Sequence, residues 1–181
     1  MNLYVLALFM HVSGAIVIFA GMGAWVFGAA ALRRAQRVEQ VRLLAALIIA
    51  AGNVVVGGIV ILGIAGFYMA LTAWDIRATW IVVATVSFLL LAPGGLLVID
   101  PRVRTIARQA RAAPDGPLPA MLTRRTRDPV LGAGLNVYVA VLFGIVFLMT
   151  TKPAVGEAIL AMVIALAVGL LASLPLWWGA R

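Results

Sequence analysis

The sequence predicts an all-α, polytopic transmembrane helix bundle of about five spans, N-terminus outside and C-terminus in the cytoplasm, with an amphipathic helix along the cytoplasmic interface. Three observations predict it. First, 65% of the 181 residues are hydrophobic and 11% charged, at a mean hydropathy of +1.13. A soluble domain of this length needs more polar surface to cover its core, whereas a bilayer solvates an apolar exterior. Second, the apolar residues fall into stretches that each reach the ~20 residues needed to cross the hydrocarbon layer. Third, the basic residues sort into two sets.

Arginine occurs at 33, 34, 37 and 42, at 102, 104, 108, 111, 124, 125 and 127, and at 181; Arg77 and Lys152 are the remaining basic residues. By the positive-inside rule, this imbalance of 12 against 2 places the arginine-bearing segments in the cytoplasm. A net charge of +8 would suggest nucleic acid in a soluble protein. Here the connecting segments account for it, so nucleic acid is not an expected partner.

The spans follow in order. The first covers residues 3–32, and the basic run that follows closes it on the inner side. It is expected to be retained rather than cleaved as a signal, because positive charge follows the apolar run rather than preceding it. The second covers 43–71. At nearly 30 residues, both should tilt or project beyond the bilayer. A short outer loop with Trp74, Asp75 and Arg77 leads to a third span at 80–99. Residues 100–128 form the one polar segment, on the cytoplasmic side. A fourth span at 129–150 turns back at Lys152-Pro153 into a fifth at 155–178. Tyr4, Tyr68, Trp74 and Trp80 fall at the outer interface, and Trp177 and Trp178 at the inner one. The whole chain, 1–181, reads as a single membrane domain. No internal repeat supports an inverted-repeat transporter.

Local signals fix some boundaries. Asp128-Pro129 places an N-cap acceptor before a proline at the first helical position. Asp100-Pro101 repeats the device and predicts the start of a separate helix. There Val103, Ile106, Ala107 and Ala110 share one side, and Arg102, Arg104, Arg108 and Arg111 occupy the rest. Such a helix is expected to lie on the membrane surface with its arginines on anionic headgroups. The alternative is a docking surface for a partner's acidic loop. Pro114 to Pro119 then form an irregular loop, and Pro93-Gly94-Gly95 a kink in the third span.

His11 is the single histidine and the clearest ionisable group within a span, about 12 Å along the helix from Leu3. Intramembrane ionisable residues point to function by default. Ala7, Gly14, Gly21 and Gly28 recur every seven residues, and His11 lies about 40° from Ala7, on the face expected to meet another helix. Three readings compete there. His11 could be a packing histidine bonded across to a neighbouring helix. It could be the axial ligand of a tetrapyrrole, haem or bacteriochlorophyll, with Gly14 and Gly21 leaving room for the macrocycle. A copper site with Met10 or Met22 is disfavoured, since Met22 lies too far along the helix to share one ion. Asn53, Gly57 and Gly28 are expected at helix–helix contacts. With no cysteine, no carboxylate pair and no metal-ligand cluster, no catalytic or metal site is expected.

The stretch from Leu3 to Ile16, LYVLALFMHVSGAI, resembles the first helix of a predicted integral-membrane family of unknown function in bacteria. It is more distantly similar to the copper-resistance CopD-like and HemJ-type families. Trp80 to Ile99 with the basic exit Asp100-Pro101-Arg102-Val103-Arg104 looks like the uncharacterised family's third helix, so the resemblance spans about the first 110 residues. The HemJ-type likeness implies haem at His11. The resemblance to bacterial proteins implies a bacterial cytoplasmic membrane. The expected function is a non-catalytic subunit packing with other membrane subunits in an energy-transducing or transport assembly. A tetrapyrrole protein is the alternative, and a small transporter the third.

Overall fold

The structure is a computed structural model that describes residues 2–178, the Ala92 and Trp178 side chains apart. Arg181, counted above with the inner basic set, lies outside the described residues. Eight α-helices follow in order: α1 (Leu3–Arg34), α2 (Val38–Thr72), α3 (Thr79–Gly94), α4 (Asp100–Ala112), α5 (Ala120–Thr126), α6 (Pro129–Thr151), α7 (Val155–Leu171) and α8 (Leu174–Trp178). A π-helical turn, Gly95–Ile99, joins α3 to α4. Five helical runs are long and apolar enough to cross a membrane, so the chain is a multi-pass α-helical membrane protein.

α1 and α2 form the spine. Residues 35–37 join them, so they run antiparallel along nearly their whole length. At ~1.5 Å per residue each exceeds a ~30 Å hydrocarbon layer. Every basic residue of the described chain except Arg77 and Lys152 falls at the end of the bundle where α1 stops and α2 begins. α3 and α6 pack alongside, and α7 lies against both. The main apolar cluster runs from Ile18, Met22 and Trp25 through Val38 and Val41 to Ile106, Leu122 and Leu135, and a smaller one gathers Ala84, Leu148 and Ala158.

The segment after α3 departs from expectation. Asp100-Pro101 starts no separate helix. Asp100 keeps helical angles (φ −58°, ψ −47°), and its N–H donates to the Gly95 carbonyl five residues back. A wider turn of this kind accommodates a proline, which lacks the donor an α-turn needs. The Asp100 carboxylate pairs with Arg104 at 2.6 Å instead of capping. α4 therefore continues the third span out of the apolar zone. The face expected on the membrane surface is inside the protein: Val103, Ile106, Ala107 and Ala110 are buried, with α4 packed on α2. Sequence periodicity identifies an apolar face, but not what covers it. The fifth span departs more mildly. α7 ends at Leu171, and a turn in which the Ser173 hydroxyl donates to the Gly169 carbonyl (2.7 Å) precedes α8.

At the arginine-rich end, Arg42 fixes this extension. Its guanidinium donates to the Ala110 carbonyl (2.7 Å), the Ala113 carbonyl and the Asp115 carboxylate, which caps the end of α4 and pins the following loop to α2. A lysine retains the charge but not the planar fork. Arg42→Lys is expected to cost about 2 kcal/mol of local stability, the scale of charge-assisted bonds. Faster amide exchange confined to residues 110–118 checks this. At the opposite end, the Lys152 ammonium lies 4.0 Å from the centre of the Trp74 ring, and Trp80 meets Trp74 edge-on at 5.4 Å. This cation–π contact ties the α2–α3 loop to the α6–α7 turn.

Candidate functional site

Three places hold the residues that could carry function: the α1–α2 seam, the outward face of α2 and the arginine-rich end.

The seam is close because the sequence places glycine where backbones meet. A Cβ on Gly14 would lie 2.8 Å from the Leu62 nitrogen and 3.0 Å from the Gly58 carbonyl oxygen. One on Gly21 would lie 2.6 Å from Val55 Cγ2, and one on Gly28 2.7 Å from Ile48 Cγ1. Polar bonds cross at two levels. Trp25 Nε1 donates to the Ile48 carbonyl at 2.8 Å. His11 Nδ1 lies 3.0 Å from the Leu62 carbonyl oxygen, which can only accept, so Nδ1 carries the proton. The imidazole edge rests where a Cβ on Gly66 would come within 2.9 Å.

This packing bears on the tetrapyrrole. The room expected at Gly14 and Gly21 is filled by the α2 backbone and Val55. A flat macrocycle seated at Gly14 and Gly21 would have to separate α1 from α2. The room that the glycines at 14 and 21 were expected to leave for the group is therefore absent from the seam.

The outward face of α2 carries a second difference. Asn53 and Gly57, expected at a helix pair, both face away from the bundle. A Cβ on Gly57 would meet nothing within 4 Å, and the Asn53 amide makes no hydrogen bond among the described residues. The packing position is the neighbour, Gly58, whose Cβ would lie 3.0 Å from the Gly14 carbonyl oxygen. Adjacent glycines face 100° apart on a helix, and the sequence alone does not choose between them. Gly63 is likewise open, whereas Gly52 lies beneath the Trp25 ring.

At the arginine-rich end, all four acidic side chains are engaged: Glu39 with Arg37, Asp115 with Arg42, Asp128 with Arg102 and Asp100 with Arg104. Arg33 Nη1 donates to the Arg127 carbonyl at 3.0 Å. Arg34, Arg108, Arg111, Arg124, Arg125 and Arg127 face no carboxylate among the described residues. Of the four arginines expected on headgroups, then, Arg102 and Arg104 are occupied within the fold, and Arg108 and Arg111 remain outward.

Tyr138 went unnoticed in the sequence. It is buried beside Trp25, with ring centres 6.2 Å apart and planes near perpendicular, and a Cβ on Gly95 would come 3.1 Å from its hydroxyl. The glycine at the π-turn thus leaves space for a tyrosine from α6. Pro93-Gly94-Gly95 signals a break, but its partner is visible only in three dimensions.

A comparison with family models also reads the chain as a membrane protein. The model of the DUF2269 family, predicted integral membrane proteins, matches residues 5–153. The chain belongs to this family. The family match extends through α6, beyond the first 110 residues that carry the resemblance in the sequence. No curated protein and no solved structure matches the chain.

Proposed function

We propose that the chain is a non-catalytic membrane subunit that docks against another membrane component through the outward face of α2, within an energy-transducing or transport assembly of the bacterial cytoplasmic membrane. On this reading the arginine-rich end is cytoplasmic and the Lys152 end outside. One observation carries it: Asn53, two residues from the midpoint of α2, presents an amide to the lipid side with no hydrogen-bond partner among the described residues.

An amide in hydrocarbon loses its hydrogen bonds to water, and a neighbouring helix restores them. The residues around Asn53 suit such a neighbour. Ala46, Ala50 and Gly57 lie within about 60° of it on the helix surface, and all three are exposed. Small side chains let a second helix approach closely, and the amide gives that approach a fixed register. His11 and the seam glycines then serve to hold the subunit's own spine.

The chain has no cysteine, so Asn53→Cys and Gly57→Cys are clean single probes. Thiol cross-linking in native membranes from these positions is expected to trap one discrete partner, identified by mass spectrometry. Probes at Val163, on the exposed side of α7, should give none. In a cysteine-free background, Asn53→Leu should lower the recovery of that partner after mild detergent extraction several-fold, with an unchanged thermal midpoint. The same partner recovery from Asn53→Leu, or indiscriminate cross-linking from all three positions, defeats the proposal.

A further inference from the structure

We infer that the groove between the end of α1 and the start of α2 is a binding site for one anionic phospholipid of the leaflet at the arginine-rich end. This inference is independent of the α2 docking face and rests on different residues.

The groove has a volume of about 690 Å³. On α1 its lining follows the helical repeat: Phe27, Ala30, Ala31 and Arg34 stand at i, i+3, i+4 and i+7, one above another on one face. α2 contributes Gln40 and Leu43 opposite. The two alanines make a shallow floor. Phe27 (77% exposed) and Leu43 (72% exposed) stand as walls that touch little of the protein. The polar groups gather at the mouth.

Arg34 carries charge that no carboxylate among the described residues answers, since the four acidic side chains at this end are taken by other arginines. Gln40 is oriented by its neighbours. Its Oε1 accepts from the backbone N–H groups of Gln36 (2.9 Å) and Arg37 (3.3 Å), which leaves its two amide hydrogens to donate elsewhere. A guanidinium beside a free NH2 group, with no acceptor between them, suits a phosphate.

Depth selects the source of that phosphate. From Arg34 to Phe27 is seven residues, about 10 Å along the helix, which is the step from headgroup to upper acyl chain. A phospholipid matches both ends, with its phosphate on Arg34 and Gln40 and one chain along Ala30 and Ala31. A peptide entering this far would leave backbone groups unbonded in hydrocarbon. The chain gains little by exchanging bulk lipid for the groove, so apolar contact supplies fit and the charge supplies preference.

Native mass spectrometry of the full chain in mild detergent, titrated with phosphatidylglycerol or phosphatidylcholine, tests this. One phosphatidylglycerol is expected to bind about tenfold more tightly than phosphatidylcholine, the scale of a charge-assisted contact. Arg34→Gln should remove that preference. Ala30→Leu, which raises the floor at an exposed position and keeps the arginine, should lower occupancy similarly. Arg108→Gln, an equal loss of charge outside the groove, should change neither. An equal fall in Arg108→Gln would show diffuse charge rather than a site, and undiminished binding in Arg34→Gln would overturn the assignment. Displacement by glycerol phosphate together with normal binding in Ala30→Leu would show a phosphate site without a chain, and would also overturn it.

Discussion

Replacing Gly14 by leucine is expected to prevent the protein from accumulating in a folded form, whereas Gly57→Leu leaves the fold intact. Both are glycines in long apolar helices, and both become the same larger side chain. They differ in what stands opposite. At Gly14 the first added atom meets the Leu62 nitrogen at 2.8 Å and the Gly58 carbonyl oxygen at 3.0 Å. Backbone cannot rotate aside as a flexible side chain can, so α1 and α2 must separate. The contact is reciprocal, since a Cβ on Gly58 would meet the Gly14 carbonyl oxygen at 3.0 Å and the Ile18 nitrogen at 3.1 Å.

Overpacking of a tight core typically costs 1–3 kcal/mol. Here separation would also stretch the His11–Leu62 and Trp25–Ile48 bonds along the same seam. Gly14→Ala should therefore lower stability by about 2 kcal/mol, with Gly14→Leu beyond what a marginally stable bundle survives. Unfolding curves in mixed micelles with increasing denaturing detergent would read both. Equal midpoints for Gly14→Ala and wild type would mean that the helices do not touch as described.

What could be read in the sequence, and what could not, divides along the same line. Five apolar runs, and the separation of arginines from Lys152, follow from one-dimensional properties: length, hydropathy and spacing. A bilayer imposes those properties directly on the chain. The Asp128-Pro129 start of α6 was legible for a similar reason, since the cap lies within two residues: Asp128 Oδ1 accepts from the Val130 N–H at 2.9 Å. The fate of Asp100-Pro101 was not legible. The same dipeptide there sits inside a continuous helix, because a π-turn absorbs the proline and α2 covers the apolar face beyond it. Gly57 and Gly58 show the remaining limit. A lipid-facing surface and a helix-facing surface are both apolar, so hydrophobic periodicity cannot rotate the helix, and only small-residue spacing hints at its bearing. Asn53 shows a related limit: polarity inside a span suggests a partner, but not whether that partner belongs to the same chain.

Trp25→Ala should be the second most damaging substitution, and the comparison with Trp25→Phe separates its causes. Trp25 is 8% exposed and meets two other helices: on α2 its N–H bonds to the Ile48 carbonyl and its ring covers Gly52, and on α6 it packs nearly perpendicular to Tyr138. In a membrane the usual gain from removing apolar surface from water is small, because lipid surrounds the unpacked helices too. What the ring contributes is dispersion contact, and a void in its place would strip that contact from Gly52 and from one side of Tyr138. On that basis Trp25→Ala is expected to cost about 3 kcal/mol, near the lower end for a buried tryptophan truncated in a water-soluble core. Trp25→Phe retains most of the contact and loses the N–H, so it should cost about 1 kcal/mol, the scale of an interhelical hydrogen bond in lipid. The Ile48 carbonyl is not stranded by either change, since a helical carbonyl retains its bond to the N–H four residues on. Measured midpoints in the order wild type, Trp25→Phe, Trp25→Ala, with the larger step between the last two, would establish packing as the main term. A Trp25→Phe variant as unstable as Trp25→Ala would instead make the hydrogen bond the dominant link between α1 and α2. The seam would then owe its closeness to polar contacts at His11 and Trp25, with the glycines merely permitting it.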